Sequence, residues 1–192
     1  LLAGHADATA LFDLRLDTLH HRHRVHRSDL RGFTGARIEL LPHQLYIAHE
    51  VSRRQIPRVL LADEVGLGKT IEACLILHRL VVCGKAERVL ILVPEPLVHQ
   101  WFVELLRRFN LSFRVFDKAR CDAEMQSGSQ NPFLEEQFVL CSLDFLVRGP
   151  AQAKQAMAAK WDILIVDEAH HLRWSESDPS REYVLVERFA VN

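Results

Sequence analysis

Two short motifs in this chain combine residue types that could hold a phosphate chain and activate a water molecule against it. The first, Ala62–Thr70, reads Ala-Asp-Glu-Val-Gly-Leu-Gly-Lys-Thr, and the second, Val166–His170, reads Val-Asp-Glu-Ala-His. Each motif follows an apolar run, so each should leave a buried strand. Because the carboxyl ends of parallel strands lie at one edge of a sheet, the two motifs should meet there.

The first motif has the features of a phosphate-binding loop. Gly66 and Gly68 lack side chains, so the backbone amides can turn toward phosphate oxygens, and a helix that begins near Lys69 directs its positive dipole end at them. Lys69 can reach the β- and γ-phosphates, and the Thr70 hydroxyl can hold Mg²⁺. The competing interpretation is a plain glycine-rich turn. The predicted nucleotide contacts are Asp63, Glu64, Val65, Gly66, Leu67, Gly68, Lys69 and Thr70.

The second motif supplies an acidic pair. Asp167 follows the apolar run Ile163–Val166, so it should emerge at the carboxyl end of a strand and hold Mg²⁺ through water. Glu168 is placed to orient or deprotonate the water that attacks the γ-phosphate, and with Lys69 the pair forms the predicted catalytic set. Taken alone, Asp-Glu after a strand could equally cap a helix. In this order after the glycine loop, the motif predicts a nucleotide-driven motor.

The bulk composition is that of a globular domain. The chain has 192 residues, 48% of them hydrophobic and 26% charged, with a net charge of −1, so any nucleic-acid contact must come from a local patch. The four cysteines show no metal-binding spacing, which favours reduced thiols in a cytosol. The sequence contains no apolar run of 18 residues, so no membrane span is predicted. Because the chain starts at Leu1 and not at methionine, we expect it to come from a longer or processed protein.

From Ile38 onward, strand-like and helix-like segments alternate, which predicts a parallel sheet with helices on both faces. Residues 117–132 are polar and contain Ser-Gly-Ser and Asn-Pro, so they are predicted to be a surface loop. The predicted helices are 41–51, 70–82, 97–109, 151–160 and 179–189. The predicted strands are 58–62, 89–93, 113–116, 138–141 and 163–166.

Residues 1–37 differ in character and are predicted to be an exposed amphipathic helix and a linker from a preceding domain, ahead of an ATP-binding lobe over 38–192. The run His20–Arg27 interleaves histidines with arginines. The neighbouring positive charges oppose a metal cation, so a solvated helix face or contact with an anionic partner is favoured. The role of this run stays open.

The two motifs together resemble the Swi/Snf-type ATPases of helicase superfamily two, because Asp63 stands where the general phosphate-loop pattern has its first glycine. The resemblance is closer to the bacterial members that associate with RNA polymerase, and it covers about residues 38–190. It implies a RecA-like P-loop NTPase fold, three-layered, and the use of ATP and Mg²⁺. The segments that carry it are 42–50, 58–73, 106–111, 141–145, 166–172, 174–176 and 179–183.

The resemblance also assigns roles at the nucleotide. Gln44 matches the upstream glutamine that recognises adenine, since a carboxamide both donates to and accepts from a base edge. Without the resemblance, Gln44 would be interpreted as a surface glutamine. His170 matches the residue that relays nucleotide state.

Further residues match the segments that track a nucleic-acid strand. Pro94 and Gln100 fall in the first such segment, and Ser142 and Asp144 fall in a second. Contacts there would be to phosphates and therefore largely independent of base sequence. Trp101 also lies in the first segment, but its helical spacing with neighbouring leucines favours a place in the core.

The function implied by the resemblance is that of a nucleic-acid-dependent ATPase, cytoplasmic and nucleoid-associated, that binds core RNA polymerase and remodels transcription complexes to recycle polymerase. DNA is the expected strand partner, with RNA as a further candidate. No Ser/Thr-Ala-Thr motif or second lobe follows His170 in this sequence, so the chain alone should bind nucleotide weakly and hydrolyse it negligibly. Two alternatives remain: a general double-stranded-DNA translocase, and a nucleotide-gated partner-binding module without motor activity.

Overall fold

The computed structural model describes residues 8–62 and 68–191. The helices within these ranges are α1 (Thr9–Arg27), α2 (Pro42–Arg53), α3 (Lys69–Val82), α4 (Val98–Phe109), α5 (Lys118–Gln126), α6 (Pro132–Glu135), α7 (Leu143–Arg148), α8 (Pro150–Ala158) and α9 (Arg181–Val191). The strands are β1 (Val89–Val93), β2 (Arg114–Phe116), β3 (Phe138–Ser142) and β4 (Ile163–Val166). Short 3₁₀ turns span Glu95–Leu97 and Ala169–His171.

The sheet is parallel throughout, with the strand order β2-β3-β1-β4. β1 lies between β3 and β4, and all of its residues are buried. Such a strand has no solvent face, which is why Val89–Val93 reads as an unbroken apolar run and not as an alternating one. The predicted parallel sheet is confirmed.

Helices cover both faces of the sheet, as predicted. The side chains of β1 alternate between two cores: Val89, Ile91 and Val93 pack with α2, α3 and α4, whereas Leu90 and Leu92 pack with helices α5 to α9. This division follows from the two-residue period of a strand. The three-layer α/β class is therefore confirmed.

α4 shows how the sequence sets one of these layers. Trp101, Leu105 and Phe109 recur at four-residue spacing and are buried, whereas Arg107 and Arg108 on the other side are exposed. The helix ends where Asn110 adopts a left-handed conformation with φ 54°. One face of α4 therefore packs onto the sheet and the other meets solvent.

The predicted strand at 58–62 is wrong. Among the described residues no backbone hydrogen bond joins this segment to the sheet, and Leu60 is 74% exposed. Residues 59–62 instead line a groove with Tyr46 and Val51 of α2, and Arg58 donates to the Ala190 carbonyl of α9 at 3.1 Å. A short apolar run indicates burial potential but does not specify a strand partner.

The predicted surface loop at 117–132 is also wrong, because it contains α5 and the start of α6. The Asp117 side chain accepts from the Arg120 amide at 2.8 Å and so caps α5, and the Asn131 side chain caps α6 in the same way at Phe133. α5 is polar, with Cys121 as its buried residue, so apolar periodicity gave no helix signal. The capping residues were the signal that could have revealed both helices.

The N-terminal helix is confirmed, and its described side chains from Thr9 to Val25 are all exposed. The following segment, 28–37, packs against α3: Phe33 is buried beneath the Arg79 guanidinium, and the Gly32 carbonyl accepts from His78 Nδ1 at 2.6 Å. The division of the chain at residue 37 stays a prediction. No described helix has the length and apolar character needed to cross a bilayer.

Candidate functional site

The carboxyl edge of the sheet gathers the residues that the sequence singles out. Asp167 follows the last residue of β4, and Pro94 follows the last residue of β1. Val93 pairs with Ser142 and Leu92 pairs with Val166, so the ends of β1, β3 and β4 lie side by side. Ligands of open α/β sheets bind outside this edge.

The acidic pair is held by the backbone at this edge. The Asp167 amide donates to the Leu92 carbonyl at 2.9 Å, and Asp167 Oδ1 accepts from the Glu168 amide at 2.9 Å. Glu168 adopts a left-handed conformation, with φ 52° and ψ 41°, which is rare for a residue with a side chain. Non-glycine residues in this conformation cluster at active sites and switch regions, and Asn110 and Lys160 of this chain adopt it as well.

Trp101 contributes to the acidic pair in a way that the sequence did not reveal. It is 3% exposed, as the core prediction required, and its indole Nε1–H donates to Asp167 Oδ2 at 2.7 Å. Both oxygens of Asp167 therefore have a donor. A buried indole N–H needs an acceptor, but the sequence alone does not say which one.

Glu168 is grouped with the two histidines that follow it. Its Oε2 lies 3.1 Å from His170 Nδ1, the two imidazole rings are 4.0 Å apart, and all three residues are exposed. The predicted base is therefore accessible, and His170 is its immediate neighbour. The assignment of His170 as a relay of nucleotide state stays a prediction.

The N-terminus of α3 forms the described part of the phosphate loop. Gly68 has φ +85° and its carbonyl accepts from the Ile71 and Glu72 amides, while Lys69 and Thr70 occupy the first turn. The first amides of a helix have no carbonyl partner within it and so favour anions. The remaining predicted loop contacts, Asp63, Glu64, Val65, Gly66 and Leu67, lie outside the described residues.

Gln44 lies against this loop. It is 3% exposed, and a Cβ added at Gly68 would stand 2.6 Å from its Nε2 atom. The interpretation of Gln44 as a surface residue is therefore wrong, because α2 packs against α3 and carries it inward. Recognition of adenine by Gln44 stays a prediction.

Thr70 and Asp167 offer oxygen donors of the kind that Mg²⁺ prefers. Burial raises the pKa of the Cys74 thiol, one turn after Thr70, and the charges of Glu104 and Asp167 raise it further. A hydroxyl and a carboxylate form a donor set that suits a hard divalent cation. The residues present fit a magnesium ion.

The predicted nucleic-acid residues lie at the same edge with different accessibility. Gln100 is exposed, whereas Pro94 and Asp144 are half-buried. Ser142 is buried, and its Oγ accepts from the Phe145 amide at 3.1 Å, which caps α7. The Ser142 hydroxyl thus has a structural role, and nucleic-acid contact by these four residues stays a prediction.

The fold and this edge define a class, a RecA-like α/β lobe in which an acidic pair follows one strand and a glycine caps the start of α3. The family described as the SNF2-related domain matches residues 38–187. The chain therefore belongs to the SNF2-related family. Among solved structures it is similar to the Sulfolobus solfataricus SWI2/SNF2 ATPase core in complex with dsDNA. That match has a TM-score of 0.65 at 19% identity and covers 80% of this chain and 30% of that one.

Curated relatives are similar along the whole chain. The RNA polymerase-associated protein RapA of Vibrio atlanticus is 57% identical over 192 residues, which is 100% of this chain and 20% of the relative. The RapA protein of Photobacterium profundum is 57% identical over 190 residues, which is 99% of this chain and 19% of the relative. The chain thus spans about a fifth of the length of these proteins.

Proposed function

We propose that this chain is the first ATP-binding lobe of a nucleic-acid-dependent ATPase that associates with RNA polymerase and remodels transcription complexes. The observation that carries the proposal is the acidic pair Asp167–Glu168 at the carboxyl end of β4, together with Gly68, Lys69 and Thr70 at the start of α3, in a chain of the SNF2-related family. Strong similarity to proteins named RNA polymerase-associated supports the polymerase partner. The proposed location is the bacterial cytoplasm.

Each residue of the site has a proposed task that fits its position. Lys69 neutralises the β- and γ-phosphates, and Gln44, packed beside Gly68, contacts the adenine edge. Thr70 and Asp167 would hold Mg²⁺, which when bound offsets the charge on the phosphates. Glu168 orients the attacking water and accepts its proton.

Nucleic acid would run along the carboxyl edge of the sheet. Gln100 is exposed on α4, Asp144 is half-buried at the start of α7, and Pro94 lies in the turn between β1 and α4. The proposed contacts are to the sugar–phosphate backbone of the nucleic acid. Such contacts are local, so they are compatible with a protein net charge of −1. DNA is the proposed partner, and RNA is the alternative strand.

The described lobe supplies one wall of the proposed site. In the family that it resembles, a second RecA-like lobe provides an arginine that stabilises the transition state, and such an arginine changes the rate by orders of magnitude in related nucleotidases. We therefore propose that the 192-residue chain binds nucleotide weakly and hydrolyses it negligibly without that lobe.

A general double-stranded-DNA translocase is the second candidate. The observation that favours it is the solved neighbour of similar fold, which is an ATPase core in complex with dsDNA. At 19% identity this likeness establishes the fold alone, whereas the relatives at 57% identity are polymerase-associated. The two candidates differ in which macromolecule accelerates hydrolysis.

The deciding experiment is ATP hydrolysis by the longer polypeptide that contains this chain, with core RNA polymerase, DNA or RNA added separately. Stimulation by polymerase supports the leading proposal, and stimulation by DNA alone supports the translocase. Glu168→Gln should abolish turnover but keep nucleotide affinity, because it removes the base and not the phosphate contacts. A Glu168→Gln protein that still remodels polymerase complexes would instead support the binding module without motor activity.

A further inference from the structure

The hydrogen bond between Trp101 and Asp167 joins two parts of the molecule with different proposed tasks. Trp101 is buried in α4, and the residue before it, Gln100, is exposed on the surface proposed to follow nucleic acid. Asp167 follows β4 and is a proposed magnesium ligand. The bond, at 2.7 Å, connects these two parts directly.

The choice of acceptor is informative. Trp161 is half-buried, and its indole N–H donates to the Ala156 carbonyl at 2.8 Å, a neutral backbone acceptor on the other face of the sheet. Trp101 donates instead to a carboxylate, and hydrogen bonds to charged groups are the stronger kind.

The donors around Asp167 fix how its carboxylate is turned. Oδ1 accepts a hydrogen bond from the Glu168 amide, and Oδ2 accepts one from the Trp101 indole N–H. The first donor is backbone that belongs to the acidic pair itself, whereas the second comes from α4. Without Trp101 the carboxylate keeps one of these two bonds and can rotate about its Cβ–Cγ axis.

We propose that Trp101 is a positioning residue that orients the Asp167 carboxylate for a hard divalent cation and makes that orientation depend on where α4 lies. This rests on the proposed function, in which Asp167 holds Mg²⁺. If a nucleic-acid strand bound at Gln100 shifts α4, the Trp101 indole moves, and the orientation of the Asp167 carboxylate changes with it. Outer partners of metal ligands act in this way.

The test uses the 192-residue chain labelled with ¹⁵N at tryptophan, which gives one indole N–H resonance for each of the three tryptophans. Variants Trp101→Phe and Trp161→Phe assign the resonances. The Trp101 resonance should lie downfield and move upfield in Asp167→Ala, while the Trp161 and Trp174 resonances stay in place. An unmoved Trp101 resonance would overturn the proposal without any bearing on nucleotide binding.

The second arm measures the cation directly. Mn²⁺ accepts the same oxygen ligands as Mg²⁺, and its free concentration can be followed by electron paramagnetic resonance. Trp101→Phe should weaken Mn²⁺ binding about tenfold, as expected for loss of an outer partner. Trp161→Phe removes the same indole N–H and the same volume from the other face, so it should leave Mn²⁺ affinity unchanged.

The outcomes separate the two proposals. Equal Mn²⁺ affinity in Trp101→Phe and Trp161→Phe overturns the positioning role. Absence of Mn²⁺ binding by the wild-type chain overturns the proposed cation site, and the role of Trp101 with it. If Trp101→Phe does not fold, two measurements that keep Trp101 in place test its role. They are the movement of the Trp101 indole resonance in Asp167→Ala and the selective broadening of that resonance when Mn²⁺ is added to the wild-type chain.

Discussion

Replacing Gly68 with alanine tests the packing of Gln44 against the phosphate loop. Gly68 has φ +85°, a conformation that costs a residue with a Cβ about 1–2 kcal/mol. The new Cβ would also stand 2.6 Å from Gln44 Nε2, so the buried carboxamide must move and give up its present contacts, at about 1 kcal/mol. The expected loss of unfolding free energy is therefore about 2–3 kcal/mol.

Gly84 provides a matched control because it also has a positive φ, +68°, but a Cβ there meets nothing within 4 Å. Gly84→Ala should therefore cost about 1–2 kcal/mol, the conformational part alone. Urea unfolding of the purified chain measures both variants, provided that the slope against denaturant is unchanged.

A double-mutant cycle isolates the contact with Gln44. In the Gln44→Ala background the steric part disappears, so Gly68→Ala should be about 1 kcal/mol less destabilising than in the wild type. Strict additivity of the two substitutions would refute the geometry on which the proposed adenine contact depends. Equal losses in Gly68→Ala and Gly84→Ala would refute it as well.

Three further predictions concern the surrounding fold. Gly32→Ala should lower the free energy of unfolding, measured with urea, by about 3 kcal/mol, because the φ of Gly32 is +86° and a Cβ would lie 2.6 Å from the Arg79 Cα. Gly35→Ala has open space around the new Cβ and should cost about 1–2 kcal/mol. Equal losses in the two variants would contradict the packing of 28–37 on α3. Alkylation of the native chain at neutral pH should label Cys83 alone, since the other three thiols are buried and burial raises their pKa. Mass spectrometry counts the labels, and labelling of a second thiol would contradict the burial of these cysteines. Asp117→Ala should cost about 1 kcal/mol through loss of the α5 cap and speed amide exchange there, and unchanged exchange would argue against the cap.

Much of the sheet could be predicted from the sequence because its strands are buried on both sides. Val89–Val93 and Ile163–Val166 were predicted with the bounds that the structure shows. The apolar segment 58–62 looked the same in sequence, but it lies beside α2, since pairing depends on partners distant along the chain. α5 was missed because it is polar, with Cys121 as its buried residue, and because the Asp117 cap marks its start without any apolar periodicity.

The candidate site was predictable in its residue types and less so in its contacts. The acidic pair was expected at the carboxyl end of a strand, and the structure places it there. The burial of Gln44 and the bond from Trp101 to Asp167 both depend on how α2 and α4 pack, which single-residue patterns do not encode. Burial of the tryptophan was predicted correctly, but its partner was not.

The proposed ATP site is tested by equilibrium binding of a fluorescent ATP analogue to the 192-residue chain, with and without Mg²⁺. We expect weak, Mg²⁺-dependent binding that Lys69→Ala abolishes and that Asp167→Ala makes insensitive to Mg²⁺. Cys83→Ala, a substitution at the end of α3 that lies away from the phosphate loop, should bind as the wild type does. Absence of binding by the wild-type chain, or binding that Lys69→Ala leaves unchanged, would refute the proposed ATP site.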